Sequence, residues 1–238
     1  MKPVYIIDGA RTPFLKARNA PGPFSAGDLA TAAGRALLTR QPFAAEELDE
    51  VILGCASPSP DEVNIGRVAA LRMGCGLKVP GWTVMRNCAS GMQALDSAIV
   101  NIHSGRSQLV LAGGVDALSH APLLYSRTMV LWFAQMAQAK TAGQKAALFA
   151  KLKPAALLSP VIGIMKGLTD PVVNLLMGQT AENLAHRFGI TRERMDEFSV
   201  RSHRRVAAGQ DAGHYGEVVP LIDRDGTVYA ADDGVRRD

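Results

Sequence analysis

The stretch WTVMRNCASGMQ, residues 82–93, places a cysteine where an apolar strand pattern gives way to a helical one. The apolar run ends at the polar pair Asn87 and Cys88, and three small residues lead into an amphipathic pattern that extends to about His103. Cys88 is therefore predicted to lie at a helix N-terminus, where free backbone N–H groups and the helix dipole favour negative charge. Because the thiolate is the nucleophilic form of cysteine, Cys88 is a candidate for covalent catalysis. Local sequence leaves open the alternative that Cys88 is a small buried apolar residue.

Strand and helix patterns alternate along the first 118 residues. Strands are predicted over residues 4–8, 50–55, 83–86 and 108–114, and helices over residues 26–40, 65–73 and 91–103. This alternation is typical of right-handed crossovers and of a mostly parallel sheet with helices on both faces, so the sequence predicts the α/β class. The pair Gly113 and Gly114 after the fourth strand would allow a sharp turn or a close approach to another element.

From residue 119 the alternation stops. Apolar helical segments, prolines and lysines dominate to about residue 170, and two clearer helical patterns follow. The first begins at Met177 and closes at Gly189, a residue suited to a helix C-cap. The second is preceded by Thr191 as a candidate N-cap and ends at Gly213. A last strand pattern covers residues 217–222, before a polar tail. We expect a core domain over residues 1–118 and a mainly helical loop domain over residues 119–238.

Composition and cysteine usage are typical of a protein from a reducing compartment. Hydrophobic residues make up 47% of the chain and charged residues 20%, which is ordinary for an α/β protein. Cys55, Cys75 and Cys88 are an odd number of cysteines without scaffold-like spacing, and the chain begins with a strand pattern rather than a signal peptide. The sequence therefore predicts a cytoplasmic protein. Because no Cys/His cluster has zinc-ligand spacing, no metal site is predicted.

The formal net charge of +4 is unevenly distributed. Residues 121–169 contain no acidic residue and six basic ones, namely Arg127, Lys140, Lys145, Lys151, Lys153 and Lys166. Such a segment attracts phosphates, anionic lipid or nucleic acid, but no nucleic-acid motif accompanies it, so nucleic acid is not expected as a partner. Two apolar stretches flanked by lysines, residues 129–137 and 146–152, would allow the segment to lie on a bilayer. The segment contains no uninterrupted run of about eighteen apolar residues, so we do not expect it to span a bilayer.

Four motifs together closely resemble the N-terminal half of a thiolase. They are GARTPF at residues 9–14, NCASGMQA at 87–94, LAGGVDALSHAP at 111–122 and MGQTAENLAHRFGITRERMDEFSVRSH at 177–203. The motifs occur in the order of the family and extend over essentially the whole chain. The insertion at residues 126–158 resembles the branch that contains the thiolase subunits of fatty-acid β-oxidation trifunctional complexes.

The resemblance implies a reaction and a set of site residues. Thiolases convert acyl-CoA and acetyl-CoA to 3-ketoacyl-CoA and CoA, and Cys88 matches their acyl-accepting nucleophile, whose own N–H would contribute to an oxyanion hole. Leu168 and Met177 match positions that line the pantetheine channel of coenzyme A, and Arg236 matches an arginine against the adenine ring. The alternatives are that Leu168 and Met177 are core residues and that Arg236 is a solvated terminal residue. No permanently bound cofactor is implied, because coenzyme A thioesters are the substrates.

The chain departs from the family pattern in two ways. Leu176 stands where many relatives have a histidine that contacts coenzyme A. The second half of a thiolase supplies Asn-Glu, Gly-His-Pro and Cys-x-Gly motifs, and none of these occurs here. Its histidine activates the nucleophile, and its second cysteine moves the proton of acetyl-CoA. The histidines of this chain are instead predicted to be surface or helix-face residues, namely His103, His120, His186, His203 and His214. Without the missing half we expect acyl loading of Cys88 at most.

The resemblance also predicts the architecture and the partners. Each thiolase half has a βαβαβαββ arrangement, with a loop domain inserted before the last strand of the first half. Residues 1–118 match the first four strands and residues 119–238 match the loop domain, so the fifth strand is not present. We therefore expect a fragment or one piece of a split enzyme, with an apolar face meant for the missing half. The complete enzyme would be a homodimer or tetramer, with contacts to a hydratase subunit or a membrane surface as further options.

Two other functions are compatible with parts of the sequence. A β-ketoacyl synthase shares the fold and a cysteine at a helix N-terminus, but residues 177–203 have no counterpart in such enzymes. A non-enzymatic membrane-surface or assembly module would be built on the basic insertion. The apolar face of that insertion would equally well pack onto the loop domain or onto a partner subunit, which is the interpretation we prefer.

Overall fold

A computed structural model describes residues 3–18, 20–152, 155 and 159–238. Lys153 of the basic insertion lies outside the described residues. The chain divides into two compact units, of which unit 1 comprises Met1–His120 and Arg192–Asp238, and unit 2 comprises Ala121–Thr191. This division differs from the predicted boundary at residue 119, because the last part of the chain groups with the first unit.

Unit 1 is built on a three-stranded parallel sheet. Its central strand β1 (Glu50–Gly54) lies between β2 (Gly81–Val84) and β3 (Val110–Gly114). Three helices belong to the same alternation, α1 (Ala26–Thr39), α2 (Ile65–Met73) and α3 (Ser90–His103). The predicted α/β class is confirmed, and the predicted bounds of these six elements agree with the structure to within two residues.

Helices cover both faces of the sheet. Val51 and Leu53 belong to a core cluster that includes residues of α1 and α2, whereas Ile52 packs with Ala94 and Ala98 of α3. Successive side chains of a strand point to opposite faces, so the two helical layers lie on opposite sides of β1. This covering explains why every residue of β1 is buried and why the strand is so apolar in sequence.

Glu50 is a buried carboxylate that joins the elements around β1. It is 6% exposed and accepts hydrogen bonds from Trp82 Nε1 (2.9 Å), Asn101 Nδ2 (2.7 Å) and Ser107 Oγ (2.6 Å). Burial raises the pKa of Glu50, but the three hydrogen bonds to the ionised form outweigh it, so that the pKa lies below the ordinary value. Glu50 is therefore an ionised anchor between β1, β2 and the C-terminal end of α3.

We expect the substitution Glu50→Gln to lower the free energy of unfolding by about 1–3 kcal/mol at pH 7, because an amide NH₂ would face hydrogen-bond donors. The contribution of a carboxyl with a lowered pKa is present above its unfolded pKa of about 4.3 and is lost as the pH falls through the folded value. The difference between the two proteins should therefore shrink below about pH 4. Urea unfolding at pH 7 and below about pH 4 measures this difference in the free energy of unfolding. The control is Glu46→Gln, which changes a carboxyl to an amide at an exposed position. Equal stability at pH 7 would contradict the assigned role.

Residues 3–10 form no strand in the described structure, so the strand prediction for residues 4–8 is wrong as it stands. Tyr5, Ile6 and Ile7 are 75%, 84% and 66% exposed. A strand requires a neighbouring backbone for its hydrogen bonds, and β3, at the near edge of the sheet, pairs only with β1 among the described residues. A cleft lies between residues 3–10 and β3.

Unit 2 is mainly helical, as predicted for the region after residue 119. Its elements are β4 (Leu123–Leu124), α4 (Arg127–Gln138), α5 (Ala142–Lys151), β5 (Val161–Ile162), α6 (Gly163–Gly167) and α7 (Met177–Phe188). Strands β4 and β5 pair antiparallel. Trp132 of α4 packs edge-on against Phe149 of α5, at 5.3 Å between ring centroids, and its Nε1–H donates to Leu148 O at 2.9 Å. Gly189 ends α7 with a φ of 61°, as the sequence predicts.

The last part of unit 1 is a long helix followed by a short hairpin. Helix α8 (Arg192–Asp211) precedes β6 (Leu221–Ile222) and β7 (Val228–Tyr229), which pair antiparallel. Only the end of the strand predicted over residues 217–222 forms, and β7 lies in the tail that was predicted to be merely polar. The hairpin closes because the Asp223 carboxylate accepts the N–H groups of Asp225 and Thr227 while Gly226 adopts a φ of 81°. No helix among the described residues is long and apolar enough to cross a bilayer.

Arg11, in the motif GARTPF, links the start of the chain to its last part. Its backbone N–H donates to Glu217 O at 3.0 Å, and its guanidinium binds both carboxylate oxygens of Asp232 at 2.8 and 3.1 Å and Glu217 Oε1 at 3.1 Å. The guanidinium also lies over the rings of Phe14 and Tyr215. The hydrogen bonds from Arg11 lower the pKa of Asp232. This network explains why the end of the chain groups with the sheet unit.

Candidate active site

Cys88 lies in the connection between β2 and α3, and its side chain is exposed. The helix begins two residues later, at Ser90, and no side chain caps its N-terminus. The first N–H groups of a helix have no partner within it and point toward that end. The position predicted for Cys88, at a helix N-terminus, is therefore confirmed. Its catalytic role stays a prediction.

A small hydrogen-bond network holds the turn that presents Cys88. Asn87 adopts a left-handed conformation with a φ of 48°, which is uncommon for a residue other than glycine. The buried Ser90 hydroxyl donates to Asn87 O at 2.6 Å and accepts from Arg86 N–H at 2.8 Å, and Ala89 N–H donates to Arg86 O at 3.0 Å. Such a conformation costs roughly 1–3 kcal/mol and persists only where its surroundings determine it. The two hydrogen bonds of the Ser90 hydroxyl fix the backbone on both sides of Asn87.

Two glycines at strand ends allow the first turn of α3 to approach the sheet. A Cβ atom on Gly54, at the end of β1, would overlap the carbonyl group of Ser90 and lie 2.6 Å from Gly91 N. A Cβ atom on Gly114, at the end of β3, would lie 2.8 Å from Gly91 Cα. The close approach predicted for Gly114 is confirmed, and that of Gly54 was not anticipated. Cys88 is thereby held next to the carboxyl ends of β1 and β3, the edge at which open α/β sheets place their ligand sites.

The other two cysteines have a different environment. Cys55 and Cys75 are fully buried. Burial, together with the nearby Asp116 carboxylate whose Oδ1 lies 3.5 Å from Cys55 Sγ, raises the pKa of the Cys55 thiol to about 12. Burial likewise raises the pKa of Cys75. Both residues are core thiols, which leaves Cys88 as the exposed cysteine of the three.

We expect iodoacetamide to label the native chain at Cys88 alone, because alkylation requires an accessible thiolate. Cys55 and Cys75 should react only after unfolding, since both are buried and have raised pKa values. Peptide mapping after a timed reaction at pH 8 measures the three rates, and the same reaction in urea is the control. Comparable labelling of Cys55 and Cys88 in the native chain would contradict the structure.

The structure brings Leu168 and Met177 together in unit 2. Met177 N–H donates to Leu168 O at 3.1 Å, and Thr169 and Leu176 form a bridge beside this bond. Leu168 and Met177 are 41% and 46% exposed, and Leu176 is 37% exposed. The three apolar side chains are therefore partly accessible rather than core residues of this chain. Leu176 offers apolar surface at the position for which the resemblance implies a histidine in many relatives. Their contact with coenzyme A stays a prediction.

Arg236 lies in the tail of unit 1, with its side chain exposed. Its backbone N–H donates to His203 Nδ1 of α8 at 3.2 Å, and the neighbouring Arg237 binds Asp211 at 3.0 Å. The backbone is thus anchored to α8 while the guanidinium of Arg236 is accessible. Its contact with adenine stays a prediction.

The histidines lie in helix or loop contexts. His103 ends α3, roughly 20 Å along the helix from Cys88. His120 Nε2 lies 2.8 Å from Gly22 O, and His203 accepts the Arg236 N–H. The described residues contain no group of three His, Cys, Asp or Glu side chains that could hold a metal ion.

An exposed cysteine at the start of a helix, next to the carboxyl ends of a parallel sheet, defines an α/β protein with a candidate nucleophile. The chain belongs to the thiolase family, because residues 4–238 match the model of the thiolase N-terminal domain. The resemblance predicted from the four motifs is confirmed.

Curated relatives and solved structures agree with this assignment. The chain is 33% identical over 236 residues to the mitochondrial trifunctional enzyme subunit beta of Mus musculus (99% of this chain, 49% of that protein). It is 34% identical over 225 residues to the beta-ketoadipyl-CoA thiolase of Acinetobacter baylyi (93% and 52%). It resembles the Bacillus anthracis acetyl-CoA acetyltransferase with a TM-score of 0.80 and 31% identity (97% and 54%). It also resembles the human mitochondrial 3-ketoacyl-CoA thiolase in complex with CoA, with a TM-score of 0.79 and 28% identity (96% and 53%). The chain therefore spans about half the length of these relatives.

Proposed function

We propose that this chain carries the acyl-accepting cysteine of a thiolase-type acyltransferase, which interconverts acyl-CoA plus acetyl-CoA and 3-ketoacyl-CoA plus CoA. The observation that carries the proposal is the exposed Cys88 at the start of α3 in a chain of the thiolase family. In the loading step, Cys88 Sγ attacks the thioester carbonyl of acyl-CoA. The bond between the acyl carbon and the sulfur of coenzyme A then breaks, and coenzyme A leaves as a thiolate that takes up a proton.

The geometry around Cys88 supports the formation of a tetrahedral intermediate. Negative charge develops on the former carbonyl oxygen during attack, and it is stabilised best by hydrogen-bond donors already in place. The backbone N–H of Cys88 and the amides of the first turn of α3 beyond Ser90 are the donors that we propose for this oxygen, because that turn has no side-chain cap and the Ser90 N–H itself donates to Asn87 O at 3.1 Å. The network of Ser90 with Arg86 and Asn87 would keep these amides fixed during the reaction.

The carbon–carbon step needs groups beyond Cys88. In the synthetic direction a base must remove a proton from the methyl group of acetyl-CoA, and the carbanion then attacks the acyl-enzyme carbonyl and releases Cys88 as a thiolate. We propose that the portion of a thiolase that this chain does not span supplies the histidine that activates Cys88 and the second cysteine that carries this proton. The coverage of about half of each relative supports this proposal.

We propose two sets of contacts with coenzyme A, one for its pantetheine arm and one for its adenine ring. Leu168 and Met177 would contact the pantetheine arm through their exposed apolar surface, and the accessible guanidinium of Arg236 would stack on the adenine ring. Similarity to the trifunctional enzyme subunit beta supports fatty acyl chains and a degradative role in β-oxidation. No permanently bound cofactor is part of the proposal.

Acetyl loading tests the proposal. We expect acetyl-CoA to release one equivalent of CoA per chain in a single turnover and to leave an acetyl group on the peptide that contains Cys88, from which hydroxylamine removes it. We also expect no thiolysis of acetoacetyl-CoA by the chain alone. Acetylation confined to lysines would contradict the role of Cys88. Sustained thiolysis that depends on Cys88 would instead overturn the proposed need for a base from the second half.

We also propose a reducing cytoplasmic location, which the three free cysteines support.

For the basic insertion we propose a contact with another subunit. The described part of the insertion exposes Val130, Leu131, Phe133 and Phe149 close in sequence to Lys140, Lys145 and Lys151. An apolar surface of this kind suits a partner subunit, in a homodimer, a tetramer or a contact with a hydratase subunit. Light scattering tests assembly. Co-sedimentation with anionic liposomes that is lost on charge reversal of the three lysines would point to a membrane surface instead.

A further inference from the structure

The tail of unit 1, residues 230–238, is anchored mainly through its own charged side chains. Three of them form ion pairs with the rest of the unit, namely Asp232 with Arg11, Asp233 with Arg18 and Arg237 with Asp211. Arg236 is different, because it is exposed and its guanidinium pairs with no carboxylate among the residues that the structure describes. The position of this guanidinium therefore depends on how the backbone at residue 236 is held.

His203 of α8 holds the backbone at that residue. Its Nδ1 accepts the Arg236 N–H at 3.2 Å. A ring nitrogen can accept a hydrogen bond only while it carries no proton, so the imidazole is neutral in this arrangement and has its proton on Nε2. Protonation turns Nδ1 into a donor and removes the bond to the Arg236 N–H. Since histidine is the side chain that ordinarily changes charge between about pH 5 and 8, a change of pH can break this contact.

The charged groups around His203 favour release of Arg236 once the imidazole is protonated. The neighbours of His203 on the same face of α8 are uncharged, namely Ser199, Val200, Val206 and Ala207. The carboxylates of Asp211 on α8 and of Asp232 and Asp233 in the tail are already bound by arginines, two of which come from residues 11–18. Arg204 and Arg236 are cations, one next to His203 in sequence and one across the hydrogen bond. An imidazolium at this position would therefore add a like charge beside Arg236.

We propose that His203 is a positioning residue, which holds Arg236 for contact with the adenine ring of coenzyme A while it is neutral and releases Arg236 when it is protonated. The inference rests on the proposed function, because it takes coenzyme A as the ligand of Arg236. A side chain that is ordered before binding loses less conformational freedom when the ligand arrives. The affinity for coenzyme A should therefore fall as the pH falls, and the loss should be confined to the nucleotide end of the ligand.

The Arg236 amide gives a direct readout of the contact in the full chain. In the wild type we expect its NMR chemical shift to change between about pH 8 and 5.5, in step with the ring protons of His203. His203→Asn is the matched variant, because asparagine Oδ1 takes the place of Nδ1 and accepts a hydrogen bond without titrating. The Arg236 amide of this variant should keep its shift over the same range. A wild-type amide that does not follow the titration of His203 would contradict the proposal.

Calorimetry tests the consequence for binding, with coenzyme A and with pantetheine, which lacks the nucleotide. Between about pH 8 and 5.5, we expect the Kd of the wild type for coenzyme A to rise about threefold to tenfold more than that of His203→Asn, as the loss of one hydrogen bond predicts. The phosphates of coenzyme A titrate equally in both experiments, so the comparison isolates His203. His203→Ala lacks the acceptor and should bind coenzyme A weakly at both pH values. Pantetheine should bind all three proteins alike, and thermal unfolding shows whether they are folded.

The outcomes separate this inference from the function on which it rests. An equal pH dependence of the Kd for coenzyme A in the wild type and in His203→Asn would overturn the role of His203. An equal loss of affinity for pantetheine would also overturn it, because the effect would then lie outside the nucleotide end. If acetyl loading of Cys88 fails while the difference between the two proteins is observed, only the proposed function is wrong. If loading succeeds without that difference, only the role of His203 is wrong.

Discussion

The substitution Cys88→Ser is expected to reduce acetyl transfer from acetyl-CoA to the chain by at least about a hundredfold. An alcohol is almost entirely protonated near neutral pH and is activated only by an adjacent base, whereas a thiol is intrinsically a much stronger nucleophile than an alcohol. The substitution exchanges a single atom at an exposed position, so the turn held by Ser90 should be retained. Single-turnover release of CoA, followed over time with a thiol reagent, measures the difference.

The buried cysteines provide the matched control for this variant. Cys75→Ala removes a thiol of the same chemistry from the core, and it should leave the rate of acetyl transfer unchanged because Cys75 is not accessible to acetyl-CoA. Circular dichroism and thermal unfolding establish that all three proteins are folded. Equal acetyl transfer by the wild type and the serine variant would show that the acetyl group is accepted elsewhere.

Elements with local start and stop signals could be predicted from the sequence. Helix α2 has the predicted bounds because both of its ends are set by nearby residues. The Asn64 side chain accepts the Arg67 N–H at the first turn, and Gly74 ends the helix with a φ of 91°. The position of Cys88 is of the same kind, since the end of an apolar run and the start of a helical pattern are both visible within residues 82–93.

Elements that depend on distant partners could not be predicted in this way. Residues 4–8 have strand composition, but a strand exists only where another backbone pairs with it, and the cleft beside them leaves them exposed. Arg11 binds Asp232 across 221 positions of sequence, and no pattern near either residue indicates that contact. The grouping of residues 192–238 with the sheet unit follows from such contacts.

The support of the candidate site was only partly visible in the sequence. In the sequence, Ser90 is one of three small residues that follow Cys88, and nothing distinguishes it from the other two. Its two hydrogen bonds could not be predicted, because they depend on the left-handed conformation of Asn87. Gly54 carries a signal for this contact in the sequence, because a glycine at the end of a buried strand often marks a close approach by another backbone. The glycine pair at the end of β3 predicts such an approach, and Gly114 confirms it.

Gly54→Ala is expected to impair folding and acetyl transfer together. The new Cβ would overlap the carbonyl group of Ser90 and lie 2.6 Å from Gly91 N, and neither backbone group can rotate away as a side chain would. Either the first turn of α3 or the end of β1 must shift. We expect the free energy of unfolding to fall by about 3 kcal/mol, the upper part of the range for overpacking a core. A displacement of Cys88 by about 1 Å would slow acetyl transfer by roughly a hundredfold in the molecules that remain folded.

Gly113→Ala separates this effect from the general consequences of adding a methyl group. Gly113 lies in the neighbouring strand, and its Cβ would lie 3.7 Å from Leu53 Cδ2, an ordinary van der Waals contact. Neither glycine has a positive φ, so both substitutions are free of backbone strain of that kind. Gly113→Ala should therefore stay within about 0.5 kcal/mol of the wild type and keep its rate of acetyl transfer. Urea unfolding and single-turnover loading of the two variants make the comparison. If Gly54→Ala matches Gly113→Ala in both, the end of β1 does not set the position of Cys88.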